Sequence, residues 1–278
     1  MENKEKFIFF GTPDYSVYTL DSLSANGYIP HLIVTAPDRP VGRHFTITPS
    51  DAKVWALKHN VPTLEVEKFT KEIIEDIKSK QADLFIVSAY GKILPKELLE
   101  IPKIGTLNVH PSLLPLYRGP APEKGPLLNG DKETGVTIIL LDEMVDHGPI
   151  LLQKKVPLTG TETTPEIAKV LFTMGGQMLA EIIPKWIEGK VELKNQDHTK
   201  ATLTKKVTKQ DGLIDPNGDP LINYNKYRAY SGWPGIYFFQ DGKRIKVTKA
   251  HLEDGKFIIE RIIPEGKKEI DYKNKIQN

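Results

Sequence analysis

The sequence predicts an α/β fold, a mostly parallel sheet crossed by helices, followed by a small β-barrel or sandwich. Two observations carry this expectation. Through the first two thirds of the chain, short apolar β-branched runs alternate with helical patterns at the spacing of right-handed crossovers between parallel strands. After Ile187-Glu188-Gly189-Lys190, short strand-like segments alternate with the turns Asn217-Gly218-Asp219, Gln240-Asp241-Gly242-Lys243 and Glu253-Asp254-Gly255. A third observation excludes a membrane class, since no run approaches the ~20 apolar residues that span a bilayer.

In order, Lys6–Phe10 reads as a buried strand ending in Gly11-Thr12-Pro13-Asp14, with a helix from there to the stop at Asn26-Gly27. Ile29–Thr35 is a second β-branched run, and Pro37-Asp38-Arg39-Pro40-Val41-Gly42-Arg43 reads as a loop. A helix over Ser50–His59 precedes a short apolar segment at Val61–Leu64, and amphipathic Lys71–Lys80 precedes a strand at Leu84–Ser88. Gly105–His110 and Gly135–Leu141 read as strands, the latter paired with Ile150–Pro157 through the loop Asp142–Pro149. Thr164–Lys185 is a long helix, capped by Thr163 or Thr164 with Pro165 in its first turn. The expected division is a domain over 1–189, a linker over 190–206 and a β-barrel domain over 207–278.

The 278 residues are 39% hydrophobic and 27% charged, an ordinary globular balance that allows one large or two modest domains. Absence of cysteine excludes disulfides, thiolate metal sites and cysteine nucleophiles, and with the lack of a signal-peptide core favours the cytoplasm. The net charge of +2 is uneven. Residues 191–278 hold 17 Lys+Arg against 12 Asp+Glu, and the preceding residues hold 21 against 24. A basic tail beside a mildly acidic larger domain reads, from charge alone, first as a lysine-rich solvated surface and second as the face of an anionic partner, with nucleic acid the obvious one.

The most informative stretch is Asn108-Val109-His110-Pro111-Ser112-Leu113-Leu114-Pro115-Leu116-Tyr117-Arg118-Gly119. On a strand, Asn108 and His110 project to one face. An amide donor beside an imidazole, at the mouth of a Pro-punctuated loop, suits a reaction through a tetrahedral oxyanion. A carboxylate from Leu141-Asp142-Glu143-Met144-Val145-Asp146-His147-Gly148-Pro149 would orient the ring; Asp146 is the choice, although Asp142 and Glu143 are equally acidic on paper. His147 competes as a proton carrier. Other motifs fail: Gly11-Thr12-Pro13 lacks the G-x-G-x-x-G spacing, Ser112 lacks a nucleophile-elbow context, and the histidines at 31, 44, 59, 110, 147, 198 and 251 lack zinc-ligand spacing. No metal is expected.

The run Asn108–Pro115 with Tyr117-Arg118-Gly119 and Ala121-Pro122 resembles the signature of the folate-dependent formyltransferases. The spacing to Gly130-Asp131-Lys132-Glu133-Thr134-Gly135-Val136-Thr137-Ile138 and to Asp146-His147-Gly148-Pro149 is similar too. Within that family, Phe9-Phe10-Gly11-Thr12-Pro13-Asp14, Ala36–Arg43, Asp211–Asp215, Trp233-Pro234-Gly235 and Pro264–Lys268 resemble the branch acting on methionyl-tRNA. The resemblance covers nearly the whole chain. It implies a Rossmann-like catalytic domain followed by a C-terminal β-barrel (OB-like), and formyl transfer from 10-formyltetrahydrofolate to initiator Met-tRNA by a cytoplasmic monomer.

Carried over, Asn108 would stabilise the oxyanion, His110 would assist charge stabilisation and proton movement, and Asp146 would keep His110 working and help deprotonate the acceptor amine. Ser112, Leu113, Leu114 and Pro115 would line the folate site, with backbone at Ser88–Ile93 and 141–146 receiving the pterin, while Arg43 would meet the tRNA acceptor stem. The chain departs from the family at Leu116, where Arg or Lys is usual, at Pro120-Ala121-Pro122-Glu123-Lys124, and at His44-Phe45-Thr46, which replaces Gly-Lys-Lys and removes two positive charges. A rival acceptor is a nucleotide-linked amino sugar or other small amine. The basic tail argues against it and the lost lysines argue for it. A non-catalytic tRNA-binding protein would not need the Asn108, His110 and Asp146 trio, and a nicotinamide oxidoreductase would need the missing glycine fingerprint.

Overall fold

The computed structural model describes residues 6–41 and 45–273. They divide into two compact units: one of residues 1–119, 135–156 and 168–203, the other of residues 120–134, 157–167 and 204–278.

The first unit is built on a seven-stranded sheet. Its strands are β1 (Phe7–Phe10), β2 (Leu32–Thr35), β5 (Thr63–Glu65), β6 (Leu84–Ser88), β7 (Thr106–His110), β8 (Glu133–Leu140) and β9 (Ile150–Pro157), in the order β5-β2-β1-β6-β7-β8-β9. The pairs from β5 through β7 are parallel, and β8 runs antiparallel to β7. β1, β2 and β6 are buried at every position, so they read as continuous apolar runs rather than alternating ones. Strand order reverses between β1 and β6, which opens a crevice at the carboxyl ends of the strands. Between β2 and β5, β3 (Arg39–Val41) pairs antiparallel with β4 (Thr46–Thr48), and β3 falls in the stretch 37–43 that reads as loop. Its strands are three residues each, and Phe45 and Ile47 are exposed, so no buried apolar run marks them.

Helices α1 (Asp14–Ala25), α2 (Asp51–Lys58), α3 (Lys71–Ser79) and α4 (Lys96–Leu99) supply the crossovers. Ser50 and Thr70 cap α2 and α3, each hydroxyl accepting a backbone N–H three residues on. The long α6 (Thr164–Ile187) carries the adjacent pair Gly175 and Gly176 where it crosses the sheet and α1. A Cβ at Gly175 would collide with Val109, and one at Gly176 with Ser22 and the Thr19 carbonyl. The glycines therefore let α6 lie tight on the face of β7 that Val109 occupies, leaving Asn108 and His110 on the opposite face.

The second unit holds α5 (Gly125–Asn129), α7 (Pro220–Ala229) and a four-stranded antiparallel sheet, β10 (Ile236–Gln240), β11 (Lys243–Glu253), β12 (Lys256–Pro264) and β13 (Ile270–Asp271), in that order. Leu213 bridges in parallel to Tyr237 on β10. Ile214, Tyr230, Ile236, Phe238, Ile245, Val247 and Ile262 form its core. The antiparallel tail agrees with its turn spacing, and α7 is a helix among the strand-like segments that dominate the sequence reading there. Asp219 caps it by accepting the Ile222 N–H, and Pro220 opens its first turn. Its buried face is made of Asn223, Asn225, Arg228 and Ala229, so no apolar period announces it.

Candidate active site

Thr106, Asn108 and His110 lie on one face of β7 and Leu107 and Val109 on the other. The chain leaves β7 through a braced loop. Thr137 on β8 donates its hydroxyl to the Ser112 carbonyl at 2.7 Å and accepts the Leu114 N–H at 3.2 Å. Gln153 on β9 donates to the Leu114 carbonyl at 2.9 Å and to the same hydroxyl at 2.8 Å. Ser112 donates to the Leu116 carbonyl at 2.6 Å. Tyr117 takes a left-handed backbone with φ of 62°, and its carbonyl oxygen comes to 3.0 Å from His110 Nε2.

On the other side, β8 ends at Leu140 and the chain returns at Pro149, the loop base closed by the Leu140 N–H donating to the Pro149 carbonyl at 3.0 Å. Gly148 packs against the Leu140 carbonyl so closely that any Cβ would collide with it. Asp146, with φ of 49°, folds back over β7. One carboxylate oxygen lies 3.4 Å from His110 Nδ1 and 3.5 Å from Asn108 Nδ2, and the other accepts the Gly119 N–H at 2.8 Å. The three predicted catalytic side chains thus meet at the carboxyl end of β7. Asp146 is the carboxylate that reaches His110. Asp142 instead holds His147 Nδ1 at 2.7 Å, and Glu143 pairs with Lys96.

The site is nearly closed, with His110 3% exposed and the Asp146 side chain 13%. Burial pushes the Asp146 carboxyl upward. The neighbouring His110 ring, the Gly119 N–H and the Arg118 guanidinium outweigh it and hold the group below the ordinary carboxylate range. Both His110 nitrogens face oxygen atoms, the Asp146 carboxylate on one side and the Tyr117 carbonyl on the other. Asn108 offers two amide protons, one directed at Asp146 and one available to an oxyanion. Together the three groups can orient a nucleophile, move a proton and stabilise an oxyanion at a carbonyl carbon.

Of the loop residues assigned to the folate site, Ser112 and Leu114 are buried and bonded within the fold, whereas Leu113 and Pro115 are partly open. Between Ser88 and Ile93, Ala89 and Gly91 take positive φ, and Ile93 is 76% exposed. Arg43 and His44 lie outside the described residues. Among the described residues no cluster of three or more His, Asp or Glu could hold a metal ion, and no helix is long and apolar enough to cross a membrane.

A second group of side chains escapes sequence reasoning. Arg118 is buried and donates through Nε and Nη2 to Gln196 Oε1 at 3.1 and 2.6 Å. Nη2 also lies 2.8 Å from His198 Nδ1, and the His198 ring stacks on His147 at 4.0 Å. Gln196 donates to the Asp146 and Gly148 carbonyls. Its place in an unpatterned stretch gives no signal of burial; Arg118 sits in the recognised signature, and that was the available clue.

Comparison with known proteins places the family. Residues 5–183 match the family model described as formyl transferase, and residues 206–270 the model of the formyl transferase C-terminal domain. A methionyl-tRNA formyltransferase of Chloroflexus aggregans is 44% identical over 246 residues, 88% of this chain and 80% of that protein. Its namesake in Thermotoga maritima is 39% identical, over 87% of this chain and 78% of that protein. Among solved structures, a methionyl-tRNA formyltransferase from Clostridium thermocellum superposes with a TM-score of 0.62 at 17% identity, covering 96% of this chain and 99% of that one. A sugar N-formyltransferase from Shewanella gives 0.68 at 17% identity, covering 91% and 100%. At such identities the two structures share the fold, and the sequence relatives carry the closer kinship.

Proposed function

This chain belongs to the formyl transferase family, and from that premise we propose that it transfers the formyl group of 10-formyltetrahydrofolate to the α-amino group of methionine on initiator Met-tRNA, in the cytoplasm, for translation initiation. The observation that carries the reading is the convergence of Asn108, His110 and Asp146 at the end of β7, in a chain whose 39–44% identical relatives bear the name methionyl-tRNA formyltransferase.

The neutral amine attacks the formyl carbon, the bond from that carbon to the folate nitrogen breaks, and the amine's proton passes to the leaving nitrogen. Asn108 donates to the oxyanion. His110 stabilises the charge and assists the proton's movement, and Asp146 orients His110 and draws the proton from the acceptor. An α-amino ester is deprotonated more readily than a lysine, which suits an acceptor charged onto tRNA. The Ser112–Pro115 segment shapes the folate side, with Leu113 and Pro115 as its open members, and Arg43 contacts the acceptor stem. The enzyme works as a monomer, with a catalytic domain over 1–189, a connecting segment over 190–206 and a tRNA-binding domain over 207–278. The matched family segments support this division.

The test is formyl transfer to purified initiator Met-tRNA, with uncharged tRNA, elongator Met-tRNA and a nucleotide-linked amino sugar in parallel. Transfer to the charged initiator alone is expected. Transfer to the sugar alone would keep the chemistry and overturn the acceptor.

A further inference from the structure

Residues 184–205 fall between the two family matches, and most of them lie in the stretch 190–206 that reads as a linker. Much of that stretch is sewn into the first unit. Ile150 and Lys194 exchange backbone hydrogen bonds at 2.8 and 2.9 Å, and the Arg118 N–H donates to the Thr202 carbonyl at 2.9 Å. The Tyr117 N–H donates to the Thr202 hydroxyl at 2.8 Å. Between these two seams the chain buries one amide side chain, that of Gln196, which is 5% exposed.

Every hydrogen-bonding atom of that amide is engaged. Nε2 donates to the Asp146 carbonyl at 2.9 Å and to the Gly148 carbonyl at 2.7 Å, and Oε1 receives both bonds from Arg118. Asp146 lies in the left-handed region, which Asp enters more readily than most non-glycine residues but which still needs its neighbours to hold the carboxylate in one direction. Two restraints act on it from opposite ends. The Gly119 N–H holds its carboxylate, and Gln196 holds its carbonyl. They meet through the single dipeptide Arg118-Gly119. A ring of contacts therefore runs from the Asp146 carboxylate through Gly119 and Arg118 to Gln196 and back to the Asp146 backbone.

We propose that Gln196 is a positioning residue for formyl transfer: its amide N–H groups lock the 146–148 backbone so that the Asp146 carboxylate faces His110 and Asn108, with Arg118 holding the amide in orientation. The proposal rests on the formyltransferase reading for its kinetic readout. Misplacing a catalytic group by about 1 Å can cost about 10²-fold in rate.

The decisive variants are Gln196→Glu and Gln196→Leu. Glutamate still accepts from Arg118 but cannot donate to the two carbonyls, so it separates this role from mere satisfaction of a buried guanidinium. In both variants kcat should fall by about 10- to 10²-fold while KM for either substrate stays within about twofold. In an Asp146→Asn background the same changes should cost almost nothing more, because Gln196 acts through Asp146. Full kcat in Gln196→Glu, a loss confined to KM, or losses that add to that of Asp146→Asn would each overturn the proposal. If Gln196→Leu fails to fold, Gln196→Glu decides alone. A crystal structure of Gln196→Glu gives a readout independent of the substrate. Release of Asp146 from its left-handed conformation is expected, and an unchanged 146–148 backbone would overturn the proposal. Inactivity of the unmodified enzyme toward Met-tRNA would instead refute the function, leaving that structural readout to judge Gln196.

Discussion

Asp146 joins the electrostatics of the site to its chemistry. The carboxyl is held below its usual range by His110, Gly119 and Arg118 despite burial. The sign follows: its stabilising contribution is present above the unfolded carboxylate value and is lost only as pH falls through the lower native one. Through the mildly acidic range Asp146 stays ionised, so a falling rate there reports another group, such as the acceptor ammonium. Asp146→Asn keeps an oxygen for the Gly119 N–H and should fold, yet lower kcat by about 10²–10⁴-fold. Steady-state kinetics beside a thermal melt checks this, and near-normal turnover would remove Asp146 from the mechanism. Asn108 and His110 were legible as a pair because strand period alone puts them on one face. Asp146 could be singled out from Asp142 and Glu143 only by resemblance, since which carboxylate turns inward depends on a positive φ and a distant amide that no local pattern encodes.

At the scale of elements, the 141–149 loop is fixed by close approach more than by its own pattern. Gly148→Ala forces a methyl into the Leu140 carbonyl, so the loop must yield. Such overpacking costs typically about 1–3 kcal/mol, and a displaced Asp146 should lower kcat as well. Urea denaturation and turnover measured on one preparation test both effects; unaltered stability would mean that the loop base accommodates a side chain. Most elements were readable because capping and apolar runs agree, as at Ser50 before α2 and in the buried β1 and β6. The exceptions have physical causes. The β3–β4 pair has exposed apolar residues, and α7 buries Asn225 and Arg228, which bond to each other at 2.7 Å. A helix whose interior face is polar cannot be found by hydrophobic period.

For the whole molecule, the sequence foretold two bodies but not how the chain is shared between them. Residues 120–134 and 157–167 belong with the C-terminal unit. Arg228 and Asn225 of α7 donate to the carbonyls of Leu127 and Leu128, and Leu128 packs on the Ile214–Ile262 core. Such partnerships are non-local and leave no trace in composition. The basic C-terminal stretch carries a measurable expectation. Phosphate contacts release counterions, so KM for Met-tRNA should rise steeply with salt while KM for the folate changes little. Arg43→Ala should raise the tRNA KM and reduce the logarithmic salt slope by about one. Equal damage to both substrates would assign Arg43 to shaping the active site.

The brace from Gln196 to Asp146 spans fifty positions of chain, and that interval has a meaning during synthesis. A ribosome adding about 5–20 residues per second takes roughly 3–10 s to cross it. Through that interval a nascent chain already holds Asn108, His110 and Asp146 and the first piece of the second unit, and it gains the second piece on the way. It lacks the amide that turns Asp146 inward and accepts from Arg118. The stretch that carries Gln196 is the last piece of the first unit to be made, so the proposed brace on the Asp146 backbone is among the last contacts of that unit to form.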